Sequence, residues 1–147
     1  MTHELEFDLE RFVQAQKAIF PQVVKELRAG QKRSHWMWFI FPQLKGLGHS
    51  STARFYGIAS IEEARAYLGH ELLGPRLVVC TEALLGHIDK SLNGILGSPD
   101  DLKFRSSMTL FSHASSDHFI FDRALDQFCG GHMDSRTLEL LGLTKTG

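Results

Sequence analysis

The stretch DLERFVQAQKAIFPQVVKELRAG, residues 8–30, decides the fold class. Leu9, Phe12, Val13, Gln16, Ile19, Phe20, Val23, Val24 and Leu27 recur at steps of three and four. That spacing puts them on one face of an amphipathic helix. Pro21 has no backbone donor and clashes with the turn before it, so it kinks or splits this helix. Gly30 is a sound C-terminal stop, because glycine accepts the left-handed backbone that follows a last turn.

The same signals continue downstream. Ser60 and Glu63 form a capping box ahead of Ala64, Ala66 and Leu68, and Gly69 ends that helix. Pro75 opens another, striped by Leu77, Val78, Thr81, Leu84, Leu85 and Ile88. Residues 91–96 read as a short turn. Ser98-Pro99-Asp100-Asp101 reads as a cap, a first-turn proline and two carboxylates facing the positive end of a helix dipole. That helix runs to about His113. A further one covers residues 117–129 until Gly130-Gly131, and Asp134 caps a last short helix through Leu141. HWMWFIF, residues 35–41, is too short for periodicity to separate buried strand from buried helix. LKGLGHSS, residues 44–51, reads as loop. The expectation is all-α: one helical domain over residues 1–147, with about six helices.

Composition bounds the function. The chain has 147 residues, 43% apolar and 22% charged, which is globular rather than disordered. Sixteen Lys and Arg against 17 Asp and Glu leave a formal net charge of −1, which argues against nucleic acid held by bulk charge. No apolar run is long enough for a transmembrane helix. The acidic MTHELEFDLE start is no signal peptide, so a cytoplasmic location is the expectation. Cys80 and Cys129 make no metal or redox pair, and the eight histidines lack HExxH or carboxylate company. No cofactor is indicated.

Neutrality overall conceals local asymmetry. Between Glu26 and Glu62 there is no acidic side chain, yet Arg28, Lys32, Arg33, Lys45 and Arg54 lie there with Trp36, Trp38, Phe39, Phe41, Phe55 and Tyr56. Residues 102–116 are also acid-free and carry Lys103, Arg105, Ser106, Ser107, Thr109, Ser112 and His113. Cations beside flat rings suit a ligand with phosphate at one end and a base at the other. On this reading Lys32 and Lys103 hold negative charge, Trp36 or Trp38 stacks the base, and His35, Gln43, Ser107 and Thr109 fix orientation. The bland alternatives are plain. Tryptophans also build cores, and helix hydroxyls also bond their own backbone. Gly46-Leu47-Gly48 is a weak phosphate-loop signal, equally explained by a turn. No catalytic residue is assigned. Glu63 and Asp101 are candidate acid/base groups, each with a helix-start role instead, and Ser106-Ser107 with His113 lacks a positioned acid.

The strings LERFVQAQ, ELRAGQKRSHWMWFIFPQLKGLGHS, YGI, EEARAYLGHELLGPRL, DDLKFRSSMTLF and TLELLGL, in this order, resemble the family of domain of unknown function 1810, found in bacteria and fungi. The resemblance runs from about Leu9 to Leu141. It implies a mainly α-helical domain and no established activity. A fainter similarity, to helical proteins of ADP-ribose and N-glycoside chemistry, implies an ADP-ribose-like ligand but transfers no residue. Two readings follow: a pocket for an anionic, nucleotide-like small molecule, with hydrolysis or glycosidic cleavage as its chemistry if it is an enzyme; or a non-catalytic protein-interaction or regulatory module, for which a homodimer is one form.

Overall fold

Pro21 splits the first amphipathic run. The computed structural model describes residues 7–117 and 119–143. Helix α1 (Glu10–Lys17) ends before the proline, and α2 (Phe20–Ala29) takes it in its first turn, where an N–H would lack an intrahelical partner anyway. α2 stops at Gly30, whose φ is 75° and whose N–H donates back to the Glu26 and Leu27 carbonyls.

The remaining helices are α3 (Met37–Ile40), α4 (Ser51–Tyr56), α5 (Ile61–Gly69), α6 (Leu73–Leu85), α7 (Leu92–Leu96), α8 (Asp100–Ala114), α9 (Phe119–Cys129) and α10 (Ser135–Leu140). Ten helices among the described residues correct the expected six or so. The extra ones come from the split at Pro21 and from three helices of four to six residues, α3, α4 and α7. Such short pieces carry too few turns to show periodicity. HWMWFIF resolves as a single helical turn, and part of the expected loop and turn is helix. Strand-type pairing is limited, among the described residues, to one isolated bridge between Leu44 and Ile58, so the all-α class holds.

Side-chain caps set the starts of four helices, α4, α5, α7 and α10. The hydroxyls of Ser50, Ser60 and Ser91 accept the N–H groups of Ala53, Glu63 and Gly94 at 3.1, 3.2 and 3.0 Å. Asp134 caps α10 by accepting from the Thr137 N–H at 2.9 Å and the Thr137 hydroxyl at 2.6 Å. Ser98 does not cap α8. Pro99 stands at that position with no side-chain bond, and Asp100 and Asp101 occupy the first turn, where their charge faces the helix dipole.

Helix α8 is the axis of the molecule. It packs against α3, α5, α7, α9 and α10, and Phe104, Met108, Leu110 and Phe111 are fully buried along it. A helix covered on so many sides cannot keep a polar face toward water. Its hydroxyls turn back onto the protein: Ser106 donates to the Leu102 carbonyl at 3.2 Å, Thr109 to the Arg105 carbonyl at 2.8 Å, and Ser112 to Asp122 at 2.5 Å. Around it runs an aromatic core. Phe111 contacts Tyr67 and Phe121, Tyr67 meets Phe12 edge-on at 5.1 Å, and Phe104 meets Phe41 edge-on at 5.0 Å.

Candidate functional site

The site rests on a buried carboxylate. Glu26, in the last turns of α2, is only 3% exposed. Its Oε1 accepts the backbone N–H groups of Arg33 and Ser34 at 2.8 and 3.1 Å and the Trp36 indole N–H at 2.9 Å. Its Oε2 accepts the Ser34 hydroxyl at 2.6 Å and the Gln22 amide at 2.9 Å. Burial alone would raise this acid's pKa. The bonds from Ser34, Arg33, Gln22 and Trp36 outweigh burial and hold it at about 2. The carboxylate thereby fixes the chain that leaves α2 and delivers α3.

Trp36 is 0% exposed and lies in the core beside Phe41. It offers no surface to a ligand, so of the two candidate stacking rings Trp36 is structural. Lys32 is likewise committed. Its N–H donates to the Ile95 carbonyl at 2.8 Å, and its Nζ lies 2.9 Å from Asp100 Oδ2 and 5.1 Å from the Trp36 ring centroid. The lysine reads as free charge in an acid-free stretch, but α8 brings it a carboxylate from outside that stretch.

Trp38, two residues on, is half-buried and faces a cleft. Lys103, one turn into α8, sets its Nζ 4.8 Å from the Trp38 ring centroid and 3.6 Å from the other oxygen of Asp100. The cleft has a volume of about 490 Å³. Trp38, Gln43, Lys103 and Ser106 line it together with Pro99 and Leu102. Leu47, Gly48, His49, Ser50 and Ala53 form one wall, and Asp134 and Arg136 of the α10 region form another. Gly46, at φ 104°, turns the first wall.

Three of the eight candidate ligand residues, Trp38, Gln43 and Lys103, therefore meet in one place. The other five do not line the cleft. Beyond Trp36 and Lys32, Ser107 is fully buried and its hydroxyl has no partner. Thr109 is fully buried and accepts the Asp134 N–H at 2.9 Å, which positions the start of α10. His35 is exposed elsewhere. His49, Ser50, Asp134 and Arg136 are additional lining groups. The glycine pair at 46 and 48 hinted at the first two, whereas nothing local marks Arg136.

The acid/base candidates serve structure. Glu63 pairs with Arg11 at 2.9 Å and accepts the Ala59 N–H at 2.7 Å. Asp101 accepts the Leu102 N–H at 2.9 Å and an Asn93 amide N–H at 3.3 Å. Neither lines the cleft. His113 lines a different hollow, with Arg65 and Ser115, and so does not meet Ser106 in the cleft. Among the described residues no three His, Cys, Asp or Glu side chains are grouped to hold a metal. No helix among them is long and apolar enough to cross a membrane.

Comparison with known proteins agrees on family and fold. Residues 6–141 match the family described as protein of unknown function, DUF1810. The chain is 54% identical to the protein in the crystal structure of the conserved hypothetical protein Rv1873 from Mycobacterium tuberculosis. The alignment covers 95% of this chain and 99% of that one, with a TM-score of 0.92. No curated protein matches. With the family match spanning nearly its whole length, the chain belongs to the DUF1810 family of proteins of unknown function.

Proposed function

We propose that this domain binds a small anionic molecule carrying a flat ring, of the nucleotide or ADP-ribose type, in the cleft beside Trp38. The observation that carries the reading is the pairing of Lys103 with the Trp38 ring at 4.8 Å on the floor of an open hollow. Two sequence-distant segments supply the two halves. Trp38, Leu47 and Leu102 give flat and apolar surface, Gln43 gives directional donors and acceptors, and Lys103 and Arg136 give positive charge, each shared with a carboxylate that does not line the cleft, Asp100 at 3.6 Å and Glu139 at 3.1 Å. The single carboxylate among the described lining residues, Asp134, caps α10 through Thr137. The carboxylate of the cleft is thus engaged in capping, and the proposal is a binding function.

Calorimetric titration with ADP-ribose, AMP, NAD and inorganic phosphate tests the proposal. Lys103→Gln and Trp38→Ala each weaken binding tenfold or more, since each removes a contact of about 1.4 kcal/mol or more. Absence of binding by all four probes, or binding that ignores both substitutions, overturns it.

A further inference from the structure

One wall of the cleft is built unlike the body of the protein. No residue in 45–56 is buried, although α4 lies within that stretch. The stretch begins and ends at one point. The Lys45 N–H donates to the Ile58 carbonyl at 2.7 Å, the Ile58 N–H donates to the Gln43 carbonyl at 2.9 Å, and Leu44 and Ile58 are themselves buried. The segment is thus a closed loop on a two-bond neck.

Part of its packing is internal. A Cβ at Gly48 would stand 2.6 Å from that of Ala53, Ser50 caps Ala53, and Phe55 meets Tyr56 edge-on at 4.8 Å. Its hydrogen-bonded ties to the body cluster near the neck. Arg11 donates through Nε to the Phe55 carbonyl at 2.8 Å and through Nη2 to the Gly57 carbonyl at 3.0 Å. Arg11 is in turn held by Glu63 at 2.9 Å. The Tyr56 ring rests on Phe12 and Phe39.

We infer that residues 46–55 are a hinged flap over the cleft, turning about the 43–45 and 57–58 neck, with Arg11 as the clamp that sets how readily it opens. A unit with no fully buried side chain opens at small cost to the core, chiefly the contact that half-buried Leu47 makes with it. As a gate for a ligand the flap rests on the binding function proposed above; as a moving unit it does not.

Amide hydrogen exchange on the full chain tests it. The α4 amides, including Arg54 N–H on the Ser50 carbonyl, exchange as a group about 100-fold or more faster than those of α8. The neck amides of Lys45 and Ile58 exchange slowly. Arg11→Gln speeds the 50–57 amides about tenfold more than those of α8 and α9. Because this substitution strands Glu63, the wild-type pattern decides by itself. α4 amides as protected as α8, or exchanging only together with the neck, overturn the flap. Adding ADP-ribose to about 1 mM, where a weak site still registers, separates the two proposals. A fast flap with no binding heat sustains the flap and sinks the ligand reading, whereas binding heat with a slow α4 does the reverse.

Discussion

Replacing Glu26 tests whether one buried carboxylate organises the approach to the cleft. In Glu26→Gln the amide oxygen still serves the three N–H donors that meet at Oε1. The new NH₂ faces the Ser34 hydroxyl and the Gln22 amide, both of which can reorient to accept. What is lost is the charge in these bonds, a cost of about 2 kcal/mol. Glu26→Ala strips the acceptor from the backbone N–H groups and the buried Trp36 indole together and costs about 4 kcal/mol. The pH dependence is the sharper test. A folded pKa of about 2 against the ordinary 4.5 corresponds to about 3 kcal/mol of stability at neutral pH, at 1.36 kcal/mol per pH unit. Because the folded value is depressed, this contribution is full above about pH 4.5 and disappears as the pH falls toward 2. Denaturant titrations between pH 7 and 2, followed by tryptophan fluorescence, measure it. The wild type loses about 3 kcal/mol more than Glu26→Gln over the acid range. Parallel pH profiles for the two proteins would falsify the assignment.

The two tryptophans separate cleanly: Trp36→Ala costs about 4 kcal/mol in denaturant stability, as deletion of a fully buried ring does, whereas Trp38→Ala costs about 1 kcal/mol. Equal losses would contradict their different burial. Gly74→Ala destabilises by about 3 kcal/mol or prevents folding, because its Cβ would sit 2.1 Å from the Leu68 carbonyl oxygen where α5 meets α6; a neutral thermal shift would refute that contact. Burial pushes the Cys80 thiol up to about 12 and also raises that of the half-buried Cys129. A disulfide reagent at pH 8 therefore labels Cys129 slowly and Cys80 only on unfolding, and prompt labelling of both would show Cys80 to be open.

Several helix ends were legible because their cause is local. The Ser60 and Asp134 caps, the Gly30 stop and the split at Pro21 depend on atoms within a few residues, and each stands where the chain spells it. α4 was not legible. It has no buried residue, so it has no apolar stripe, and only the Ser50 cap marks its start. Of the eight candidate ligand residues, three fall in one cleft. Trp38, Gln43 and Lys103 share it, and Ser106 lines it with them, but Ser107 and Thr109 on the same helix are enclosed by its neighbours. Residues three and four apart share a helix face whichever way that face points.

The amino-acid order alone determined an all-α class, several helix starts and the existence of two acid-free, aromatic and basic stretches. Tertiary structure alone decided which indole is sealed and which is open, and that Lys32 and Lys103, from the two acid-free stretches, share one carboxylate. Asp100 reaches Lys32 and Lys103 from the start of α8, and Glu26 reaches back to Trp36 from the end of α2. Charge pairing and burial depend on distance through space, and no pattern within a short window of sequence encodes that distance.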